Sequence, residues 1–480
     1  MKKIISLAIF SAALILGLSS CEKFLDEAPK AMLTPENSFL TEGDWNKALT
    51  ASYAMLQYCF IEKYEMPLNE FGTDEVEPFD KGWAAYQQLW TYTFSADHEF
   101  FREHYIWLYD GIKAANTIID IPETAPVSES AKNLMIAQAK FLRAVFYFEL
   151  VGFYGGVPLW TSASVDKDNV SIPRSTADQV YELITSDMEF AAQNLPEKWS
   201  GQDVGRATSG AAWALLGRFY LQWGKDDKAV EALDKVIGKY SLYPNYADIF
   251  DKENKNQEIE NIFEVQSLHG GEWGLEGSRQ SSYWGPRGGA GPTSGGFGWG
   301  GFGPTQYCYD QYEQNDKRRA AFFITEYMGV PQNPPCTAKY RDPDHNEEIE
   351  DDDLNYILIR YADVLLMKAE ALNNLGDNSS AKYDCLNEVR DRAGISRITA
   401  ADNLSKDDFA AVILKERLLE LNCEKHRLFD LRRFGKVAEQ NTAAYGAQVT
   451  VQPHHVLYPI PQYALDANEA MTEKDQNPGY

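Results

Sequence analysis

The 480-residue chain is short of cysteine: it has six, with no CxxC pair and no zinc-like spacing, so it is neither a disulfide-built mini-fold nor a zinc module. It is also short of positive charge. Forty-five Lys and Arg stand against 71 Asp and Glu, a formal net charge of −26 with no basic stripe. That balance argues against nucleic acid as a partner and disfavours polyanionic polysaccharides, because phosphate binding is mostly Lys and Arg electrostatics. The seven His include no HExxH, and His454-His455, being adjacent, point in different directions. Beyond the first twenty residues nothing approaches eighteen uninterrupted apolar positions, the minimum for a membrane-spanning helix. Acidic pairs are too common in such a chain to mark a glycosidase, and the glycines near Gly288 lack the flanking strand and helix of a dinucleotide loop. The reading is therefore a non-enzyme with no catalytic residue, no cofactor and no metal. What is present is ordinary globular composition, 44% hydrophobic and 13% aromatic, in a chain long enough for one large core or two average ones.

Residues 1–20 read as a secretory signal, with Lys2 and Lys3 ahead of an apolar run over 4–16. Leu18-Ser19-Ser20-Cys21 resembles a bacterial lipobox, which implies cleavage before Cys21 and its acylation. Several acyl chains on one residue make a firm membrane anchor. Glu22, Asp26 and Glu27 resemble the acidic tag that exports lipoproteins of Bacteroidetes to the cell surface. Of the other cysteines, only Cys308 and Cys336 flank loop-like sequence and are candidates for a disulfide. Cys59, Cys385 and Cys423 sit in helical apolar patterns, as small buried hydrophobes do.

From Trp213 the chain runs Leu216-Gly217, Tyr220, Gly224, Ala229, Leu233, which matches the tetratricopeptide pattern: small residues let two helices approach and large ones fill the gap. A weaker unit runs from Leu365 through Ala369, Gly376 and Ala381, and Phe141, Val145, Phe148 and Gly152 share one helix face. Residues 285–303 hold Gly at ten of nineteen positions, which regular helix cannot accommodate. The acidic run 342–353 starts like a calcium loop but has Glu347 where the turning Gly belongs and ends on Asp353, so it reads as a solvated loop. The predicted fold is mainly α: one domain over 21–480 with tetratricopeptide-like helical repeats around 40–60, 100–152, 205–237 and 356–391. This scaffold carries an irregular, loop-rich insert over 240–355, and 449–480 is an extended tail packed on the helices.

Four separated segments then converge on one family. Cys21-Glu22-Lys23-Phe24-Leu25-Asp26, Lys140-Phe141-Leu142-Arg143-Ala144 leading to Tyr154-Gly155-Gly156-Val157-Pro158, Tyr361-Ala362-Asp363-Val364-Leu365 with Glu416-Arg417 and Arg427-Leu428-Phe429-Asp430-Leu431-Arg432, and Tyr458-Pro459-Ile460-Pro461 with Asn477-Pro478-Gly479-Tyr480 resemble the SusD/RagB outer-membrane lipoproteins of Bacteroidetes. Asn422-Cys423 departs from the family's usual small-plus-aromatic pair. Arg143, Arg427, Asp430 and Arg432 read as makers of ion pairs and helix-end contacts. The resemblance implies a SusD-like fold and a surface protein that captures a neutral glycan and acts as lid to a SusC-like TonB-dependent transporter, with a RagB-like peptide-binding lid as the alternative.

Sugar rings offer apolar faces and hydroxyl edges, so a glycan site needs rigid aromatic platforms with a few polar partners. In and before the glycine-rich insert these are Trp273, Tyr283, Trp284 and Trp299, with Arg279, Gln280 and Arg287 as hydrogen-bond partners. A second patch is Trp83 and Tyr86, after the acidic loop Asp74-Glu75-Val76-Glu77. Trp90 and Trp107 read as core.

Overall fold

The computed structural model describes all residues except 1–38, 62–64, 80, 165–169, 271–276, 287–299, 343–351 and 378. Ten helices are used below as landmarks: α1 (Glu42–Phe60), α2 (Glu99–Ile119), α3 (Glu129–Tyr154), α4 (Ala177–Asn194), α5 (Ser209–Gln222), α6 (Asp226–Leu233), α7 (Tyr361–Asn374), α8 (Ala381–Ala393), α9 (Lys406–Leu421) and α10 (Arg427–Arg433). Their starts are written locally. Thr41, Thr176 and Ser405 each close a capping box with the residue three positions on, and Ser128 and Thr208 accept from the first-turn backbone.

The helices pack in sequence, α1 on α2, α2 on α3, and so on through α6 on α7 and α7 on α8. The fold is mainly α, as the periodicity predicts. At the centre stands α3, in which every residue from Phe141 to Tyr154 is buried. Its predicted face is satisfied from three directions: Phe141 meets Phe263 at 5.0 Å, Phe148 stacks on Phe219 at 4.3 Å, and Gly152 leaves room for Phe429. A Cβ at Gly152 would lie 2.4 Å from the Phe429 ring, and one at Gly217 would lie 2.4 Å from Leu233. These two glycines are therefore small because a neighbouring element passes through the space of a side chain.

Two two-stranded antiparallel sheets join the insert to the scaffold, β1 (Val76–Pro78) with β3 (Phe302–Pro304) and β2 (Asn261–Val265) with β6 (Tyr356–Arg360), and a third, β4 (Phe323–Tyr327) with β5 (Val330–Thr337), is a hairpin within the insert. Two expectations change here. The helix expected to begin near Tyr356 begins at Tyr361, because 356–360 is a strand buried on both faces and paired with β2. Cys308 and Cys336 are buried and form no disulfide; Cys308 sits in a capped helical turn, and Cys336 donates to Gln332 within β5.

Behind the sheets lies a buried ionic hub. Arg360 pairs with Glu260, Glu420 and Glu424, Arg318 with Asp316, Glu416 and Glu420, Arg392 with Glu260 and Glu420, and Lys339 with Glu424. Burial pushes the Glu420 carboxyl upward, but the guanidiniums of Arg392, Arg360 and Arg318 outweigh it and hold the group well below the carboxylate range. The block residues act as the sequence suggests: Arg143 grips Asp187, Arg427 grips Asp74, Asp430 takes Arg417 and Arg433, and Arg432 caps Gly152 O. The tail is clamped by Asn477, whose amide donates to Tyr154 O at 3.0 Å and Tyr458 O at 2.6 Å.

Candidate ligand-binding face

The two sequence patches belong to one cluster, and the backbone between them explains how. Asp74 is fixed by Arg427 through two 2.7 Å bonds, and its carbonyl accepts from Thr305 Oγ1 at 2.7 Å. Thr305 N then donates to Glu75 O, and β1 zips onto β3 with Pro78 opposite Phe302. Phe79 N reaches Gly301 O, and Gly301 N reaches Tyr283 O. Gly303 is required here because a Cβ would lie 2.6 Å from the Phe79 ring.

This pairing drives Phe302 between the two patches. Tyr86 lies edge-on to Phe302 at 6.0 Å, Tyr283 stacks on it at 6.0 Å and Trp284 meets it edge-on at 4.6 Å. Trp83 lies 4.4 Å from Tyr86 and 5.4 Å from Phe100, while Trp284 continues to Tyr340 at 5.6 Å. Edge-to-face rings at these separations add to the burial of apolar area and hold one another rigidly.

Burial sorts the predicted residues. Trp284 is 1% exposed, Tyr86 2% and Tyr283 3%, so these three are floor rather than open platforms, packed around Phe302, which β3 inserts among them. Trp83 and Arg279 are half-buried and stand at the edge of the cluster. Gln280 is buried and donates to Leu354 O. Trp273, Arg287, Trp299 and the acylation site Cys21 lie outside the described residues. Trp90 is core, edge-on to Tyr445 at 5.4 Å, and Trp107 packs on Tyr58 at 5.8 Å. Phe302 and Phe71, which meet each other and Tyr86 edge-on, carry no spacing signal: Phe302 is brought in by the pairing of β1 with β3, and Phe71 follows the short helix Met66–Glu70.

The acidic run is a clamp where it is described. Asp352 bridges Ser278 through paired backbone bonds of 2.9 Å and accepts from Ser281 N and Leu354 N; burial pushes its carboxyl up to about 7. Asp342 pairs with Lys252 and Asp353 with Lys255. Residues 343–351 of the calcium-like stretch lie outside the described residues, and among the described residues no three acidic, His or Cys side chains are grouped so as to hold a metal ion.

Residues 23–221 match the family described as starch-binding, associating with outer membrane, and residues 326–480 match the SusD family. The chain belongs to the SusD/RagB family. It is 28% identical to a SusD-like protein of Formosa agariphila over 97% of this chain and 98% of that one, and 27% identical to a SusD-like protein of Bacteroides ovatus over 88% and 81%. Among solved structures, a laminarin binding SusD-like protein superposes with a TM-score of 0.79 at 27% identity, covering 92% of this chain and 100% of that one. Surface glycan-binding protein A of Bacteroides fluxus superposes with 0.78 at 25%, with the same coverage. Among the described residues no helix is long and apolar enough to cross a membrane.

Proposed function

We propose that this protein is a cell-surface lipoprotein, anchored to the outer membrane through Cys21, that captures a neutral glycan and hands it to a SusC-like TonB-dependent transporter over which it forms a lid. It performs no chemistry on the ligand. The observation that carries the reading is the convergence of Tyr86, Tyr283 and Trp284 on Phe302, with Trp83 packed on Tyr86 at the edge. This rigid floor lies beside Pro286 and Gly300, the described residues flanking the chain that holds Arg287 and Trp299. Trp83 is the ring best placed to meet a sugar face, and Arg279 supplies donors to hydroxyl edges. The names of relatives at 25–27% identity, which bind laminarin and surface glycans, support the same class of ligand, and the acidic balance favours an uncharged one.

The test is calorimetry of the soluble form lacking residues 1–21 against maltohexaose, laminarihexaose, cellohexaose, mannohexaose and xylohexaose, with Trp83→Ala alongside. Binding of at least one sugar that falls about tenfold in the variant, with the cooperative melting of a folded protein retained, is expected. A folded protein that ignores every sugar but binds peptides would overturn the glycan reading in favour of a peptide-capturing lid.

A further inference from the structure

Away from the Trp83 face, a cavity of about 480 Å³ opens between α2 and the C-terminal segment. That is within the range of about 300–1,000 Å³ typical of small-molecule sites. Its floor is organised by buried bonds. The Tyr109 hydroxyl donates to Pro158 O at 2.8 Å, and the Tyr105 ring lies 4.8 Å from that of Tyr109. Trp160 is held by its backbone: its carbonyl accepts from Asn116 at 2.9 Å and from the Tyr147 hydroxyl at 3.0 Å, and its N–H donates to that hydroxyl at 2.7 Å. Asn116 is in turn fixed by Arg143 at 2.7 Å, and Arg143 by Asp187. The opposite wall is Tyr463, half exposed at 50% and covered on one side by the Arg102 guanidinium at 5.2 Å.

The chemistry of this cavity is that of a sugar site. Tyr109, Trp160 and Tyr463 offer ring faces, while Asp110, Lys113 and Ser162 among the lining residues offer acceptors and donors to hydroxyl edges. The rim carries one carboxylate and one ammonium, so it selects for polar but uncharged matter. We infer that this groove is a second carbohydrate-binding site, taking a short stretch of the same neutral glycan that the Trp83 face captures. It rests on the glycan reading for the identity of its ligand and on its own geometry for its existence. The link between the two is α2: Phe100 at its start packs on Trp83, and Tyr105, Tyr109 and Asn116 further along line the groove. Residues 100 and 109 are about 14 Å apart along the helix axis.

Calorimetry and crystal soaks with whichever hexasaccharide of the panel binds would test this, using the wild type, Trp83→Ala, Tyr463→Ala and the double variant. Tyr463 is exposed enough for its truncation to leave melting unchanged. The expected result is residual binding in Trp83→Ala that falls about tenfold further in the double variant, with sugar density between Tyr109 and Tyr463. A single site lost in Trp83→Ala and untouched by Tyr463→Ala, with no density in the groove, would overturn this inference and leave the first reading standing. No binding of any sugar to the wild type would overturn both.

Discussion

The ionic hub around α9 and the aromatic cluster around Phe302 both tie distant segments together, by opposite means. In the hub, three arginines and a lysine reach five carboxylates, and nearly every side chain is sealed from water. Ion pairs are directional, and a buried charge without its partner is strongly unfavourable, so the hub admits one arrangement of β6, α9 and the root of the insert. The cluster is held by ring packing, with Trp83 half-buried at its edge. Directional charge pairing thus fixes the root of the insert, and ring packing fixes the face it carries.

The largest expected effect breaks the hub. Arg360→Ala leaves Glu260, Glu420 and Glu424 without their shared cation and should destabilise the fold by about 5 kcal/mol in urea titration, since removing one member of a buried pair strands its partners. A loss below about 1 kcal/mol would show that the hub is not what fixes the insert. Next comes a contrast within the cluster. Trp284→Ala should lose about 3 kcal/mol and binding together, because its ring is floor. Trp83→Ala should lose about 1 kcal/mol and most of the binding. Equal stability losses would erase the distinction between floor and platform.

A smaller effect concerns Glu149 on α3, whose Oε2 is buried without a partner among the described residues and whose carboxyl burial pushes up to about 8. Its folded pKa exceeds its unfolded one, so the native state favours the protonated form. That contribution is complete below about pH 4.5 and is lost as pH rises through about 8. Glu149→Gln should therefore match the wild type near pH 5 and exceed it by about 2 kcal/mol at pH 9, as read by melting across pH. Glu420, depressed by its arginines, works in the other direction and weakens the hub only in acid. The smallest effect is none: reductant should leave the melting temperature unchanged, and native Cys308 and Cys336 should resist alkylation until the chain unfolds.

Local signals explain which parts of this molecule are legible in its sequence. Helix starts show as Thr41, Thr176 and Ser405 with their box partners, and the close approach of α5 and α6 shows as Gly217 opposite Leu233. Strand β6 is misread as helix because five apolar-rich residues flow into α7 with no breaker, and only β2 makes them a strand. The aromatic patches are visible as composition. Their burial is not, since Phe302 reaches Tyr86 through the pairing of β1 with β3, more than two hundred residues apart. The groove of Trp160 and Tyr463 leaves no motif at all, because its walls come from a loop after α3 and a turn near the C-terminus.

The sequence by itself determined the class of fold, the family blocks, the acidic character that turns away polyanions, and the aromatic supply for a ligand face. All of these are encoded over a few turns of chain or in bulk composition. Tertiary structure alone decided which rings became floor and which stayed at the edge, which charges met in the hub, and where a second cavity opened. Those outcomes depend on contacts between residues tens to hundreds of positions apart, where burial and pairing are properties of the assembled core and not of any segment within it.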